Sequence, residues 1–189
     1  NLGGTNCTVD AACASSLSAM KMAISDLLEY RSDMMIAGGV DADNSPMMYM
    51  CFSKTPAFTS GDNPRPFDEN SGGVMIGEGM GMVVLKRLED AERDGDSIYA
   101  VIKGIGTSSD GKFKSIYAPR SGGQAKALRR AYADADFAPQ SIGLLEAHGT
   151  GTAAGDAAEF EGLKEVFTED PSEKPGNPDF QHIALGSIK

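Results

Sequence analysis

The chain has 189 residues, of which 41% are hydrophobic and 23% are charged. That balance is ordinary for a folded protein and excludes both a disordered chain and a coiled coil. Its 17 basic residues against 27 acidic ones give a net charge of −10, which disfavours a nucleic-acid partner. No apolar run approaches the roughly 18 residues that a membrane span needs. Three cysteines without CxxC spacing argue against a disulfide framework or a zinc knuckle and favour a reducing cytoplasm.

The first third of the chain predicts a strand, a tight turn, a helix and a second strand. Residues 5–10 are predicted to form a short strand. The following helix places five apolar side chains on one face: Leu17, Met20, Ile24, Leu27 and Leu28. The apolar run 34–37, closed by Gly38 and Gly39, predicts a buried parallel strand, so this unit has the βαβ pattern.

The middle of the chain alternates irregular and regular patterns. Residues 44–73 carry four prolines among polar residues and predict a long irregular segment of the kind that bears binding surface. Residues 81–85 and 97–102 are predicted to be antiparallel strands, with one short helix within 87–96 between them.

The last third predicts a helix, a strand, a second helix and a final strand. The first helix covers 124–135, with three side chains facing inward: Ala127, Leu128 and Ala131. The strand 142–147 follows, and then a helix that begins near Asp156, whose charge suits the helix dipole. A solvated connection at 168–181 leads to the strand 183–189.

Cys13 lies where the first predicted strand passes into a helix through small residues. Unpaired N–H groups and the positive end of the helix dipole favour a thiolate there, and small neighbours allow the sharp turn of a nucleophile elbow. A buried structural cysteine is an equally good interpretation of such a position. Cys7 and Cys51 lack this setting and are interpreted as core or surface thiols.

His148 follows a predicted strand and precedes the Gly149-Thr150-Gly151 loop. A neutral imidazole there can donate a hydrogen bond to a thioester oxygen, although a lone histidine is more often structural. The same glycines, with Gly155, partly match a dinucleotide-binding loop, but the next strand lacks the acidic residue that holds a ribose. The other histidine, His182, is interpreted as a surface residue.

A series of motifs resembles that of β-ketoacyl synthases, in the same order: VDAAC at 9–13, RPFD at 65–68, GEG at 77–79, EAHGTGT at 146–152, GD at 155–156 and GSIK at 186–189. The resemblance covers the whole chain. Within the family, the sequence is most similar to the ketosynthase domain of bacterial polyunsaturated fatty acid synthases and polyketide synthases.

The resemblance implies an α/β fold of the thiolase-like type, layered αβαβα. It also implies that residues 1–189 are the central portion of one β-ketoacyl synthase domain. The N-terminal strands and the part after the GSIK motif would lie outside this chain. We therefore expect the longer parent to be a homodimeric enzyme, and the isolated chain to be inactive and to expose apolar edges.

The resemblance also implies the chemistry. Cys13 would take an acyl chain from an acyl carrier protein, and its backbone N–H would form half of an oxyanion hole. His148 would stabilise the enolate formed when a malonyl thioester loses CO₂, and Thr150 and Thr152 would bind the phosphopantetheine arm that the carrier delivers. Lys189 would support the site. No metal or directly bound cofactor is implied, and the family's second active-site histidine would lie beyond Lys189.

Two other functions remain open from the residues alone. Cys13 with His148 as general base suits a cysteine hydrolase. A noncatalytic interaction domain would never acquire an acyl group on Cys13.

Overall fold

The computed structural model describes residues 2–55, 57–112, 114–115, 117–168 and 183–188, and the chain divides into two compact units. The first unit comprises residues 1–48 and 76–102, and the second comprises residues 49–75 and 103–189. No helix of the described residues is long and apolar enough to cross a membrane.

The first unit is built on a two-stranded antiparallel sheet. Its strands are β1 (Met35–Asp41) and β2 (Gly79–Leu85), paired from Met35 opposite Leu85 to Asp41 opposite Gly79. Helix α1 (Ser15–Leu28) packs on β1 and buries Ala23 and Leu27. Helix α3 (Leu88–Asp94) follows β2 directly.

Strand β1 continues through Gly38 and Gly39, which were predicted to close it. A Cβ atom on Gly39 would lie 2.9 Å from the Cβ of Ser16, so the missing side chain lets α1 approach the sheet. A Cβ on Gly38 would lie 2.0 Å from the carbonyl oxygen of Gly81 in β2. These glycines therefore serve close packing, and the chain does not turn at them.

Arg87 connects the end of α1 to the start of α3. Its guanidinium donates hydrogen bonds to the carbonyl oxygens of Leu27 and Ser32, each at 2.8 Å, and to the Asp90 carboxylate at 2.6 Å. It also lies 4.4 Å from the centre of the Tyr30 ring. Burial raises the pKa of Asp90, but the hydrogen bond and charge of Arg87 outweigh it and hold that pKa below its usual value.

One face of the β1–β2 sheet is apolar and exposed. Five side chains lie on it, each between 52% and 81% exposed: Ile36, Val40, Met80, Met82 and Val84. They share a face because the register places Ile36 opposite Val84 and Val40 opposite Met80, and side chains alternate along each strand. We call this surface the open sheet face.

The second unit contains two packed helices, α4 (Ser121–Ala135) and α5 (Ala153–Phe167). Ala125 and Val166 are almost fully buried. Beside these helices, β3 (Leu144–Glu146) pairs in parallel with β4 (Ala184–Gly186).

Several predicted elements are confirmed and several are wrong. Helices α1, α3, α4 and α5 and strands β2, β3 and β4 occur close to their predicted positions, and the differences lie at their ends. The βαβ prediction is wrong, because residues 5–10 form no strand and the described partner of β1 is the antiparallel β2. The apolar face predicted for α1 is only partly buried, since Leu17 and Leu28 are 60% and 66% exposed.

The remaining corrections concern local conformation. Residues 5–10 and 97–102 are not strands, because no described strand pairs with either segment. The segment 44–73 is not irregular throughout, since α2 (Pro46–Ser53) begins it, with a proline at its first position. Most of the predicted connection 168–181 and His182 lie outside the described residues.

Candidate active site

Cys13 lies in a single 3₁₀ turn, Ala12–Ala14, immediately before α1. The thiol-bearing residue is exposed. The preceding residue, Ala12, has φ = +50°, a left-handed conformation that costs an L-residue about 1–2 kcal/mol. The sharp turn that the small residues predicted is therefore present, and its strain falls next to the cysteine.

Local side chains hold this strained turn. The carboxylate of Asp10 accepts a hydrogen bond from the N–H of Ala12 at 3.0 Å. The hydroxyl of Ser15 accepts from the N–H of Ala11 at 2.8 Å and donates to the carbonyl of Ala12 at 2.7 Å. The partners are no more than four residues apart in the chain, so the turn is specified by its own sequence.

The position of Cys13 favours an ionised thiol. Unpaired N–H groups at the start of a helix and the positive end of its dipole stabilise a negative charge nearby. The first turn of α1 contains no acidic residue, and the nearby Asp10 carboxylate is bound to the N–H of Ala12. The prediction that a helix follows Cys13 is confirmed, and the prediction that a strand precedes it is wrong.

His148 lies on the loop between β3 and α5, and Glu159 of α5 holds that loop. One oxygen of the Glu159 carboxylate accepts from the N–H of His148 at 2.7 Å, and the other accepts from the N–H of Gly149 at 2.8 Å. Hydrogen bonds to a charged acceptor are roughly twice as strong as neutral ones. The backbone beside the imidazole is therefore fixed by the following helix.

Gly149 is required by the fold. Its φ is +50°, and a Cβ atom there would lie 2.5 Å from the hydroxyl of Ser187, beyond β4. The close neighbour at Gly149 is therefore the protein itself.

Asp156 is buried and holds two loops together. Its carboxylate accepts from the N–H of Phe67 at 2.7 Å and from the N–H of Gly151 at 3.0 Å. Phe67 has φ = +60°, so the carboxylate also supports a left-handed residue. The predicted place of Asp156 near the start of a helix is confirmed, since α5 begins at Ala153, and these two hydrogen bonds are a further role.

Thr150 and Thr152 lie in direct contact. Their hydroxyl oxygens are 3.0 Å apart. The hydroxyl of Thr152 caps α5 by accepting from the N–H of Gly155 at 3.1 Å, and the hydroxyl of Thr150 accepts from the N–H of Thr152 at 3.4 Å.

These side chains surround one cavity of about 270 Å³ within the second unit. The polar and aromatic residues of its wall include His148, Thr150, Thr152, Glu159, Tyr117 and Gln124. The structure thus brings together the predicted histidine and both predicted threonines. Cys13 belongs to the first unit, and Lys189 lies outside the described residues.

The other two cysteines are exposed and have different surroundings. Cys7 lines a separate cavity of about 170 Å³ between α1 and β1. Cys51 lies in α2.

Sequence reasoning missed Glu159, Gln124 and Tyr117. Glu159 follows Asp156 by three residues, so both carboxylates lie on the same side of α5. That spacing was a usable signal. For Gln124 and Tyr117 the sequence has no comparable signal, because they approach the cavity from a distant segment.

The comparisons with known proteins identify the class. Residues 1–91 match the profile of the β-ketoacyl synthase N-terminal domain, and residues 99–189 match that of the C-terminal domain. The two profiles together cover almost the whole chain, which belongs to the β-ketoacyl synthase family.

The individual relatives of the chain include large fatty acid and polyketide synthases. The chain is 52% identical over 189 residues to one of the subunits of the polyunsaturated fatty acid synthase of Thraustochytrium sp.. It is 39% identical over 189 residues to polyketide synthase PksM of Bacillus subtilis. All of this chain is covered, but it spans only 7% and 4% of those two proteins.

Solved structures confirm the thiolase-like α/β fold of a ketosynthase. The chain matches the ketosynthase from module 6 of the bacillaene synthase of Bacillus subtilis with a TM-score of 0.85 and 38% identity, covering 93% of this chain and 31% of that one. It matches the PfaC keto synthase–chain length factor with a TM-score of 0.86 and 42% identity, covering 95% and 18% respectively. The chain therefore corresponds to part of the ketosynthase fold.

Proposed function

We propose that the chain is the ketosynthase segment of a multidomain fatty acid or polyketide type of synthase. The parent catalyses a decarboxylative Claisen condensation between an acyl group on Cys13 and a malonyl thioester on an acyl carrier protein. The single observation that carries this proposal is the exposed Cys13 on a strained turn at the start of α1, in a chain that belongs to this family.

Cys13 acts first as a nucleophile. Its thiolate attacks the carrier's acyl thioester, the bond to the carrier sulfur breaks, the carrier leaves as a thiolate, and the acyl group remains on Cys13. The backbone N–H of Cys13 donates to the oxyanion that forms during this step. The start of α1 supports both roles, because its N–H groups and dipole favour negative charge.

His148 acts in the second half-reaction. The bond between the malonyl carboxylate and the α-carbon breaks, CO₂ leaves, and the electron pair forms an enolate on the thioester. A hydrogen bond from the imidazole stabilises the enolate oxygen. The α-carbon then attacks the acyl carbonyl on Cys13, the new carbon–carbon bond forms, and the thiolate is released.

Thr150 and Thr152 bind the phosphopantetheine arm of the carrier, and Lys189 supports the site. The position of both threonine hydroxyls on the same cavity as His148 supports this assignment. The chain binds no cofactor directly in this scheme, and the arm arrives as part of the substrate.

The parent contains the rest of the ketosynthase domain, since this chain covers only 31% of the matched bacillaene ketosynthase chain. It works as a cytoplasmic homodimer. We expect residues 1–189 alone to be inactive, because the hydrogen-bond donors that the rest of the domain supplies to the active site are missing. Loss of one such preorganised donor typically lowers a rate by about 10²–10³.

The test uses the full-length synthase and two readouts. After incubation with an acyl thioester, mass spectrometry should find the acyl group on Cys13 and not on Cys7 or Cys51. With a malonyl thioester the enzyme should release CO₂. A Cys13→Ala variant should lose the label, while Cys51→Ala, the matched control, should keep it.

The two rival functions give different results. Rapid acyl hydrolysis without CO₂ would indicate a cysteine hydrolase. An enzyme that acquires no acyl group and releases no CO₂ would indicate an interaction domain. Either result would overturn the proposed condensation.

A further inference from the structure

Gln124 of α4 is a polar wall residue of the His148 cavity. Gln124 is half-buried, and it lines the same cavity as Thr150 and Thr152. Among the residues that the structure describes, its side-chain amide makes no hydrogen bond. A half-buried amide without a protein partner retains both of its hydrogen-bonding functions, an NH₂ donor and a carbonyl acceptor.

Close packing of α4 against α5 fixes the position of the Gln124 Cβ atom. Gly162 of α5 is buried and lies against α4. A Cβ atom on Gly162 would lie 3.4 Å from the Cβ of Gln124 and 3.0 Å from the carbonyl oxygen of Ser121. Because glycine lets the two helices approach, the Gln124 Cβ is held against α5, whose first turns line the same cavity.

The threonines are less available than Gln124. The hydroxyl of Thr152 already accepts from Gly155, the hydroxyl of Thr150 accepts from Thr152, and the two hydroxyls contact each other. A ligand that enters this cavity with an amide group therefore finds a matching donor and acceptor together at Gln124. A pantetheine arm is such a ligand, since each of its amides has one N–H and one carbonyl.

We propose that Gln124 hydrogen-bonds an amide of the pantetheine arm and so makes the site selective for amide-bearing thioesters. The inference rests on the proposed function, because it assumes that malonyl thioesters react in this cavity. Gln124 is a binding residue in this scheme and takes no part in bond breaking.

The test compares two malonyl substrates in the full-length synthase, with CO₂ release as the readout. One is malonyl-pantetheine, and the other is the malonyl thioester of propanethiol, which has no amide. Gln124→Met keeps the size of the side chain and removes its hydrogen bonds. It should raise KM for malonyl-pantetheine about fivefold, the value of one net hydrogen bond, with kcat unchanged. The propanethiol thioester should react as with the unsubstituted enzyme.

Lys126→Met is the matched control, because Lys126 is an exposed residue of the same helix and does not line the cavity. It should leave both substrates unaffected. If Gln124→Met does not fold, Gln124→Leu gives the same comparison, since it removes both hydrogen-bonding groups and adds no charge to the cavity.

An unchanged KM for malonyl-pantetheine would overturn the inference, as would an equal loss with both substrates. The proposed function fails in a different way: the unsubstituted enzyme would then release no CO₂ from either thioester, and the role of Gln124 would fall with it.

Discussion

Cys13 and His148 are held in different ways within their own units. The turn that carries Cys13 is held by side chains within four residues of their partners, Asp10 and Ser15. The loop that carries His148 is held by carboxylates of α5, and one of these, Asp156, bonds Phe67, which is 89 residues away in the chain.

This difference indicates how each group depends on the rest of the fold. A local turn forms wherever its own sequence and the following helix form. The His148 loop has its geometry only when α5 and residues 65–74 are both in place. On the proposed function, damage to the second unit should therefore affect CO₂ release more than it affects acyl transfer to Cys13.

The largest effect is expected for His148→Ala. On the proposed function the variant lacks the hydrogen bond to the enolate oxygen, so CO₂ release from malonyl thioester in the full-length synthase should fall by about 10²–10³. Acyl labelling of Cys13, measured by mass spectrometry, should persist. If both readouts were lost to the same extent, the separation of roles between the two units would be wrong.

Asp156→Ala should lower the stability of the fold more than it lowers the reaction rate. It leaves the N–H groups of Phe67 and Gly151 without their acceptor, and each such loss in a buried place costs about 1–3 kcal/mol. We expect the free energy of unfolding of the ketosynthase to fall by about 2–4 kcal/mol in urea titrations. Glu161→Ala, an exposed position of the same helix, is the control, and equal losses in both variants would contradict the role of Asp156.

Glu159→Gln tests whether the hold of α5 on the His148 loop matters for CO₂ release alone. The amide retains one acceptor for the N–H groups of His148 and Gly149 and loses the charge and the second acceptor. Since a hydrogen bond to a charged group contributes about 1.5–3 kcal/mol, CO₂ release should fall about tenfold or more. Acyl labelling of Cys13 should be unchanged. Glu161→Gln should change neither rate, and a similar fall there would point to a general charge effect.

Ala12→Gly should give the smallest effect and the opposite sign. Glycine adopts a left-handed φ without the steric cost that alanine has at φ = +50°. Glycine also loses more conformational entropy than alanine on folding, so the free energy of unfolding should rise by less than about 1 kcal/mol. Thermal unfolding measures it. Ala14→Gly, at a residue of negative φ in the same turn, should destabilise instead, and a loss in both variants would show that no strain is stored at Ala12.

Elements with strong periodicity could be predicted from the sequence, and long-range pairing could not. The helices α4 and α5 follow from their apolar spacing, and the place of Cys13 follows from the small residues before α1. The antiparallel pairing of β1 could not be predicted, because its partner β2 lies some 40 residues further on and the apolar pattern of each strand does not specify its partner. Residues 97–102 have strand composition but no described strand beside them.

The site divides in the same way. His148, Thr150 and Thr152 stand in one motif, so their common cavity was predictable once the motif was recognised. Gln124 and Tyr117 reach that cavity only through the packing of α4 and the segment before it. Neither residue type marks a binding site by itself, so only coordinates reveal them.

The open sheet face makes two methionines useful as reporters. Met80 and Met82 are 81% and 62% exposed here, and an accessible thioether oxidises readily to a polar sulfoxide. Peptide mapping after mild peroxide treatment would compare these 189 residues alone with the whole synthase. Protection of both sulfur atoms in the larger protein would measure directly how completely its remaining chain shields this sheet from solvent.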